Sequence, residues 1–155
     1  MGSSHGVGRS AAFLFAEQGA EVIKIENRAT GGDPSRQSGS VTLAEDDSAY
    51  FQAFNLAKKS VTLNLKSDAG REAALKLIET ADVVVHNFRP QAMERLGLDY
   101  EQVKAVNPTV VYCATYGYSK KGPYGDKGAL DDSIQAASGI AILQSMVEGE
   151  PRYLP

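Results

Sequence analysis

The chain has 155 residues, 43% of them apolar and 23% charged, with a net charge of −3. That length supports one core or part of a larger one, and the composition excludes a disordered chain. The slight acidity argues against a surface built for nucleic acid or anionic lipid, and no apolar run nears the roughly 20 residues of a membrane span, so neither partner is expected.

Val7, Ala11, Leu14 and Phe15 share one face of a first helix that stops at Gly19. Glu21 to Glu26 reads as a short strand. Asn27 to Ser48 has glycines, serines and Pro34 but no sustained period, which predicts a long surface loop. Phe51 and Phe54 form an aromatic patch before Lys58-Lys59. A second strand is expected at Val61-Thr62-Leu63-Asn64-Leu65, ending at Lys66. Ser67 caps the next helix, with Asp68 in its first turn and Ala74, Leu77, Ile78 and Ala81 as its buried stripe. Asp82 to His86 is the third strand. Pro90 suits the start of a short helix through Arg95, and Asp99 with Gln102 opens another that stops at Asn107-Pro108. Thr109 to Cys113 is the fourth strand, in which Cys113, the lone cysteine, is expected as a small core residue. A loop from Tyr116 to Gly128 leads to a last helix from Asp131 or Asp132 through Ile134, Ala137, Ala141 and Leu143.

This alternation predicts an α/β fold with a mainly parallel sheet flanked by helices. No strand precedes the first helix and no element closes the chain after Gly149, so the sheet is expected to be incomplete at both ends. The start has no leader pattern, which makes the cytoplasm the expected compartment.

Ligands of such folds gather where strand carboxyl ends meet loops. Lys58, Lys59, Lys66, Arg89 and Arg95 are cations in this region, and Lys66 and Arg89 follow strands closely enough to converge on phosphates. Asn87 and Phe88 add an amide and a stacking face, so a ligand joining phosphates to adenine suits the set. Gly2-x-x-x-Gly6-x-Gly8 before a helix, with Glu26 beyond, is an alternative pattern that resembles the NAD(P)-dependent short-chain dehydrogenases. Tyr116-x-x-x-Lys120 imitates their catalytic pair, but Gly117 and Gly122-Pro123 place it in a loop. A non-catalytic nucleotide-binding module is a further alternative. Asp131-Asp132 at a helix start reads first as capping and second as acid/base chemistry. His86 is expected as a satisfied strand-end residue. Two histidines and one cysteine without ligand spacing predict no metal site.

Several segments, in order, resemble the family III CoA-transferases, the group with the formyl-CoA and carnitine-CoA transferases and the α-methylacyl-CoA racemases. They are Gly19 to Glu26, Asn55 to Lys66, Ala81 to Leu98, Asn107-Pro108 with Val111-Tyr112, Gly122-Pro123-Tyr124 and Gln135 to Gly139. The resemblance implies a Rossmann-like large domain in an interlocked homodimer. It also implies transfer of coenzyme A from an acyl-CoA to a carboxylic acid acceptor through an aspartyl-CoA thioester. By that likeness, Leu63, Asn64, Leu65 and Lys66 contact coenzyme A, as do Asn87, Phe88 and Arg89, then Arg95, then Gly128, Ala129, Leu130 and Asp131. Asn27 stands where an arginine is usual, with Arg28 beside it, and Gly128 replaces a lysine. Gly6-Val7-Gly8-Arg9 matches the first ligand turn, with Arg9 for a proline. Leu130 replaces the histidine of the racemase branch. The nucleophilic aspartate of the family follows the region of Gly149-Glu150-Pro151 by several residues, so residues 1–155 are expected to be part of the large, coenzyme A-binding domain. The first strand, the catalytic region and the small domain are expected to lie outside them, and no catalytic residue within.

Overall fold

A computed structural model describes residues 7–150 and Tyr153. The described residues form two compact units, divided between Thr115 and Tyr116. The fold is mixed α/β, with short parallel strand pairs flanked by helices.

In the first unit, helix α1 (Val7–Glu17) leads to strand β1 (Val22–Glu26), which pairs in parallel with β4 (Lys58–Thr62) from Val22↔Lys58 to Glu26↔Thr62. The expected strand at residues 61–65 therefore lies too late. The ladder with β1 sets the register, so Lys58 and Lys59 belong to the strand, while Asn64 and Leu65 lie beyond it. In α1 the expected inner face is also revised: Leu14 and Phe15 are exposed and Ala16 is buried.

Residues 27–48 do not form an unstructured loop. They hold two 3-10 turns, Arg28–Thr30 and Pro34–Gln37, and a small antiparallel pair, β2 (Thr42–Ala44) with β3 (Asp47–Ser48). Asp33 caps the second turn by accepting from the Ser35 amide at 2.9 Å, with Pro34 fixing its first position. The Ser48 hydroxyl donates to the Ser35 carbonyl at 2.7 Å and accepts from the Phe51 amide at 3.0 Å, which starts α2 (Ala49–Asn55).

Helix α3 (Asp68–Ile78) begins at Ser67, whose hydroxyl accepts from the Gly70 amide at 3.2 Å. It buries Ala74 and Ile78 in a core with Ile25, Val84, Met93, Leu98 and Val103. Full burial of a side chain such as Met93 is worth roughly 1.5–3 kcal/mol. Strand β5 (Val83–His86) pairs in parallel with β6 (Val111–Ala114), and between them lie α4 (Pro90–Leu96) and α5 (Tyr100–Val106). The Asp99 carboxylate accepts from the Glu101 and Gln102 amides, as the capping pattern requires. Cys113 is exposed on β6 and not in the core, because successive strand residues point to opposite faces and its neighbours Tyr112 and Ala114 take the inner one.

In the second unit the last helix is broken in two, α6 (Asp131–Ser138) and α7 (Ile140–Glu148), where Gly139 adopts φ 82°. Ala137 and Leu143 are exposed, and Ala141 alone of the expected stripe is fully buried.

Candidate functional site

A cleft of about 300 Å³ opens at the carboxyl ends of β1, β4 and β5. Leu63, Leu65 and Lys66 line it from the segment after β4, Phe88 from the segment after β5, and Leu96 from the end of α4. The four apolar ones also pack on the core, which fixes that wall. Asn64 shapes the bend between them: its side-chain oxygen accepts from the Lys66 amide at 3.1 Å, and its carbonyl accepts from the Ser67 amide and hydroxyl. Gly70 lies so close beneath that a Cβ there would sit 2.0 Å from the Asn64 carbonyl oxygen.

The opposite wall is the segment read as a loop. Asn27, Thr30, Gly32, Asp33 and Pro34 line it, with Lys24, Ile25 and Glu26 of β1. A buried ionic network holds it in place. Lys24 Nζ donates to Asp33 and, at 2.9 Å, to Asn55 Oδ1. Glu26 accepts from Arg36 at 3.0 and 3.2 Å, from the Ser60 hydroxyl at 2.8 Å and from the Asp33 amide at 2.9 Å. Burial alone would raise both carboxyls, but these donors hold Glu26 and Asp33 below their ordinary ranges. The Asp33-Pro34 pair was a legible sign of a helix start; its partners, far away in sequence, were not. With both oxygens of Glu26 engaged in this network, the ribose role that a dinucleotide pattern would give it has no support, and Gly2 and Gly6 of that pattern lie outside the described residues.

The other candidates take varied places. Asn87 is half-buried and Arg89 exposed on either side of Phe88, and Arg95 is exposed next to Leu96; none of the three lines the cleft itself. Lys66, Arg89 and Arg95 have no carboxylate partner among the described residues. Lys58 and Lys59 sit at the amino end of β4, the end away from Lys66, and Lys59 pairs with Glu21 at 2.9 Å. Asn27 lines the cleft, whereas the Arg28 side chain, Gly6 and the side chains of Val7 to Arg9 are outside the described set; Val7, Gly8 and Arg9 form the first residues of α1 rather than a turn.

In the second unit, Ala129 packs against Gly117, and the exposed Leu130 precedes α6 without a side-chain cap. Asp131 accepts from the Gln135 amide at 2.6 Å, a bond within the helix in place of the expected capping bond. Gly128 is exposed. Tyr116 and Lys120 lie in the loop, as Gly117 implied.

His86 departs from expectation. It is 1% exposed, and neither ring nitrogen has a hydrogen-bond partner. Its ring stacks on Phe88 and tilts against Tyr112 at 5.0 Å. Burial pushes its pKa down to about 4, with the backbone at Phe88 opposing. Among the described residues no cluster of histidine, cysteine and carboxylates could hold a metal ion, and no helix is long and apolar enough to cross a membrane.

The comparisons agree with one another. A family model described as CoA-transferase family III matches residues 2–155. The chain is 36% identical to a succinate–glutarate CoA-transferase of Agrobacterium fabrum over 89% of its own length and 36% of that protein. It is 39% identical to a formyl-CoA:oxalate CoA-transferase of Streptomyces coelicolor, over 93% of this chain and 34% of the relative. A crystal structure of a CaiB/BaiF family protein from Brucella suis superposes with a TM-score of 0.83 at 35% identity, covering 94% of this chain and 39% of that one. The chain thus spans about a third of the length of the curated relatives it matches.

Proposed function

This chain belongs to CoA-transferase family III, and we propose that it forms the coenzyme A-binding part of an acyl-CoA:carboxylate CoA-transferase. The observation that carries this reading is that Lys66 and Phe88, from segments after two different strands, share one cleft with Leu63, Leu65 and Leu96. A cation at the rim suits a phosphate, an aromatic face suits adenine, and an apolar floor suits either the base or the methyl-bearing arm. At about 300 Å³ the cleft is at the small end of ligand pockets and takes one end of the molecule. Arg89 and Arg95, flanking the same wall in sequence, are the next cations within reach of a ligand that extends beyond it.

The reaction in the whole protein would run through a carboxylate nucleophile. An aspartate attacks the acyl-CoA carbonyl and expels the thiolate, giving a mixed anhydride. The thiolate then attacks the aspartyl carbonyl, forming an aspartyl-CoA thioester and freeing the first acid. The second acid reverses these steps and leaves as its own CoA thioester. Asp131 does not fit that role, since its carboxylate is held by Gln135. The role of residues 1–155 is to hold coenzyme A, and the whole protein acts as a homodimer in the cytoplasm.

Titrating the chain with coenzyme A and with NAD while following its thermal midpoint tests the reading. Coenzyme A should raise the midpoint as RT ln(1 + [L]/Kd), and NAD should not. Lys66→Ala should weaken coenzyme A about tenfold, by the loss of roughly 1.4 kcal/mol, with the ligand-free midpoint unchanged because Lys66 is exposed. Stabilisation by NAD alone would end the proposal.

A further inference from the structure

Strand β5 ends at His86, and only Asn87, Phe88 and Arg89 separate it from Pro90 at the start of α4. The His86 carbonyl is fixed, accepting from the Thr115 amide at 2.8 Å and the Thr115 hydroxyl at 3.0 Å. On one side the His86 ring meets Tyr112, with centroids 5.0 Å apart, and Tyr112 is itself anchored by donating to the Leu98 carbonyl at 2.9 Å. On another side it stacks on Phe88, 6.4 Å away with 21° between the planes. Aromatic pairs sit about 4.5–7 Å apart, so the Tyr112 contact is close and the Phe88 contact loose. Any further closure is therefore a movement of Phe88, whose ring also lines the coenzyme A cleft.

An imidazole in that place is costly. Leucine or phenylalanine would fill the core without polar atoms, whereas His86 is 1% exposed with both ring nitrogens unbonded. A buried donor or acceptor without a partner forfeits the hydrogen bonds it had in water, and few native groups are left so. The Phe88 main chain is near enough to favour a proton on the ring, yet neither nitrogen makes the bond. A neutral imidazole carries one N–H, so the donor is present and needs only a closer approach.

We propose that His86 is a positioning residue for coenzyme A: as the adenine stacks on Phe88, the Phe88 segment closes on His86 and the ring N–H donates to the Phe88 carbonyl. The orphaned donor is then satisfied, which favours the bound state. The bond also locks the aromatic face in the orientation the base needs, with Tyr112 as the backstop. His86 touches no ligand; it acts through Phe88. This role presumes that the cleft takes coenzyme A, and the two fail in different ways.

Nitrogen-15 labelling of the histidine rings reports the bond directly. On adding coenzyme A to the chain, the His86 ring N–H proton should move downfield, as a newly bonded proton does. Titration calorimetry then separates stacking from bonding. His86→Phe keeps an aromatic ring and removes the donor, and should weaken coenzyme A about fivefold. His86→Asn and His86→Gln place an amide donor near the two nitrogen positions, and one of them should stay within about twofold of the parent. No binding by the parent would overturn the coenzyme A reading and this role with it. Binding with unchanged His86 ring signals, with His86→Phe as tight as the parent, or with all three variants equally weak would overturn this role alone.

Discussion

Lys24 on β1 and Asp33 at the head of a 3-10 turn form a buried ion pair that ties the wall of the cleft to the sheet. Phe51 closes over it, its ring centroid 4.7 Å from Lys24 Nζ and 3.9 Å from the Arg36 guanidinium carbon. The pair is what makes residues 27–48 an ordered part of the site.

Breaking that pair takes from the buried Lys24 its nearest carboxylate, leaving Asn55 at 2.9 Å and the more distant Glu26 at 3.8 Å. Asp33→Ala should therefore cost about 3–5 kcal/mol in urea unfolding, whereas the double change Lys24→Met with Asp33→Leu should cost less. A single variant within 1 kcal/mol of the parent would show that the network does not hold the segment.

Gly70→Ala tests the tight approach under the Asn64 bend. The added carbon would lie 2.0 Å from a carbonyl oxygen, so α3 or the bend must move. The expected loss is about 2 kcal/mol or more, alongside weaker coenzyme A binding as the Lys66 cation is displaced with the bend. Parent-like stability measured by denaturant would contradict this packing.

His86 gives a pH signature. Its pKa falls from an ordinary 6.5 to about 4 on folding, so the unfolded chain binds more protons between these values. Stability is then fully present above pH 6.5 and declines as pH falls toward 4, by on the order of 3 kcal/mol. His86→Leu should flatten the stability curve across that window; an unchanged slope would assign the acid sensitivity to other groups.

Asn107 joins two segments through one side-chain amide, which donates to the Ile78 carbonyl at 2.9 Å and the Ala81 carbonyl at 2.8 Å. Asn107→Leu should leave both carbonyls short of donors and lower the unfolding midpoint, by roughly 2–3 kcal/mol in stability. Retention of the parent midpoint would mean that water replaces the amide at no cost.

What was legible in the sequence was local. Ser67 and Asp99 announce helices because the amides they accept from lie within three residues of them, and Pro90 because its fixed φ and missing N–H suit the first helical position. The start of β4 was not, since Val61 to Leu65 looks like a strand by itself, and only pairing with β1 selects Lys58–Thr62. The far wall of the cleft failed for the same reason. Glu26 finds Ser60 34 residues away and Lys24 finds Asn55 31 residues away, distances over which no spacing rule operates. On the near wall, Leu63, Leu65, Lys66 and Phe88 were singled out in advance; Leu96 was not, because its role in the core and its place at the cleft have the same apolar signature.

The outward sulfur of Cys113 has a practical bearing on any of these measurements. As the chain's single thiol, set on an accessible strand, it offers a unique attachment point for a fluorescent maleimide. The same exposure means that samples stored in air without reductant will accumulate a covalent pair of chains, visible as a doubled mass on a non-reducing gel.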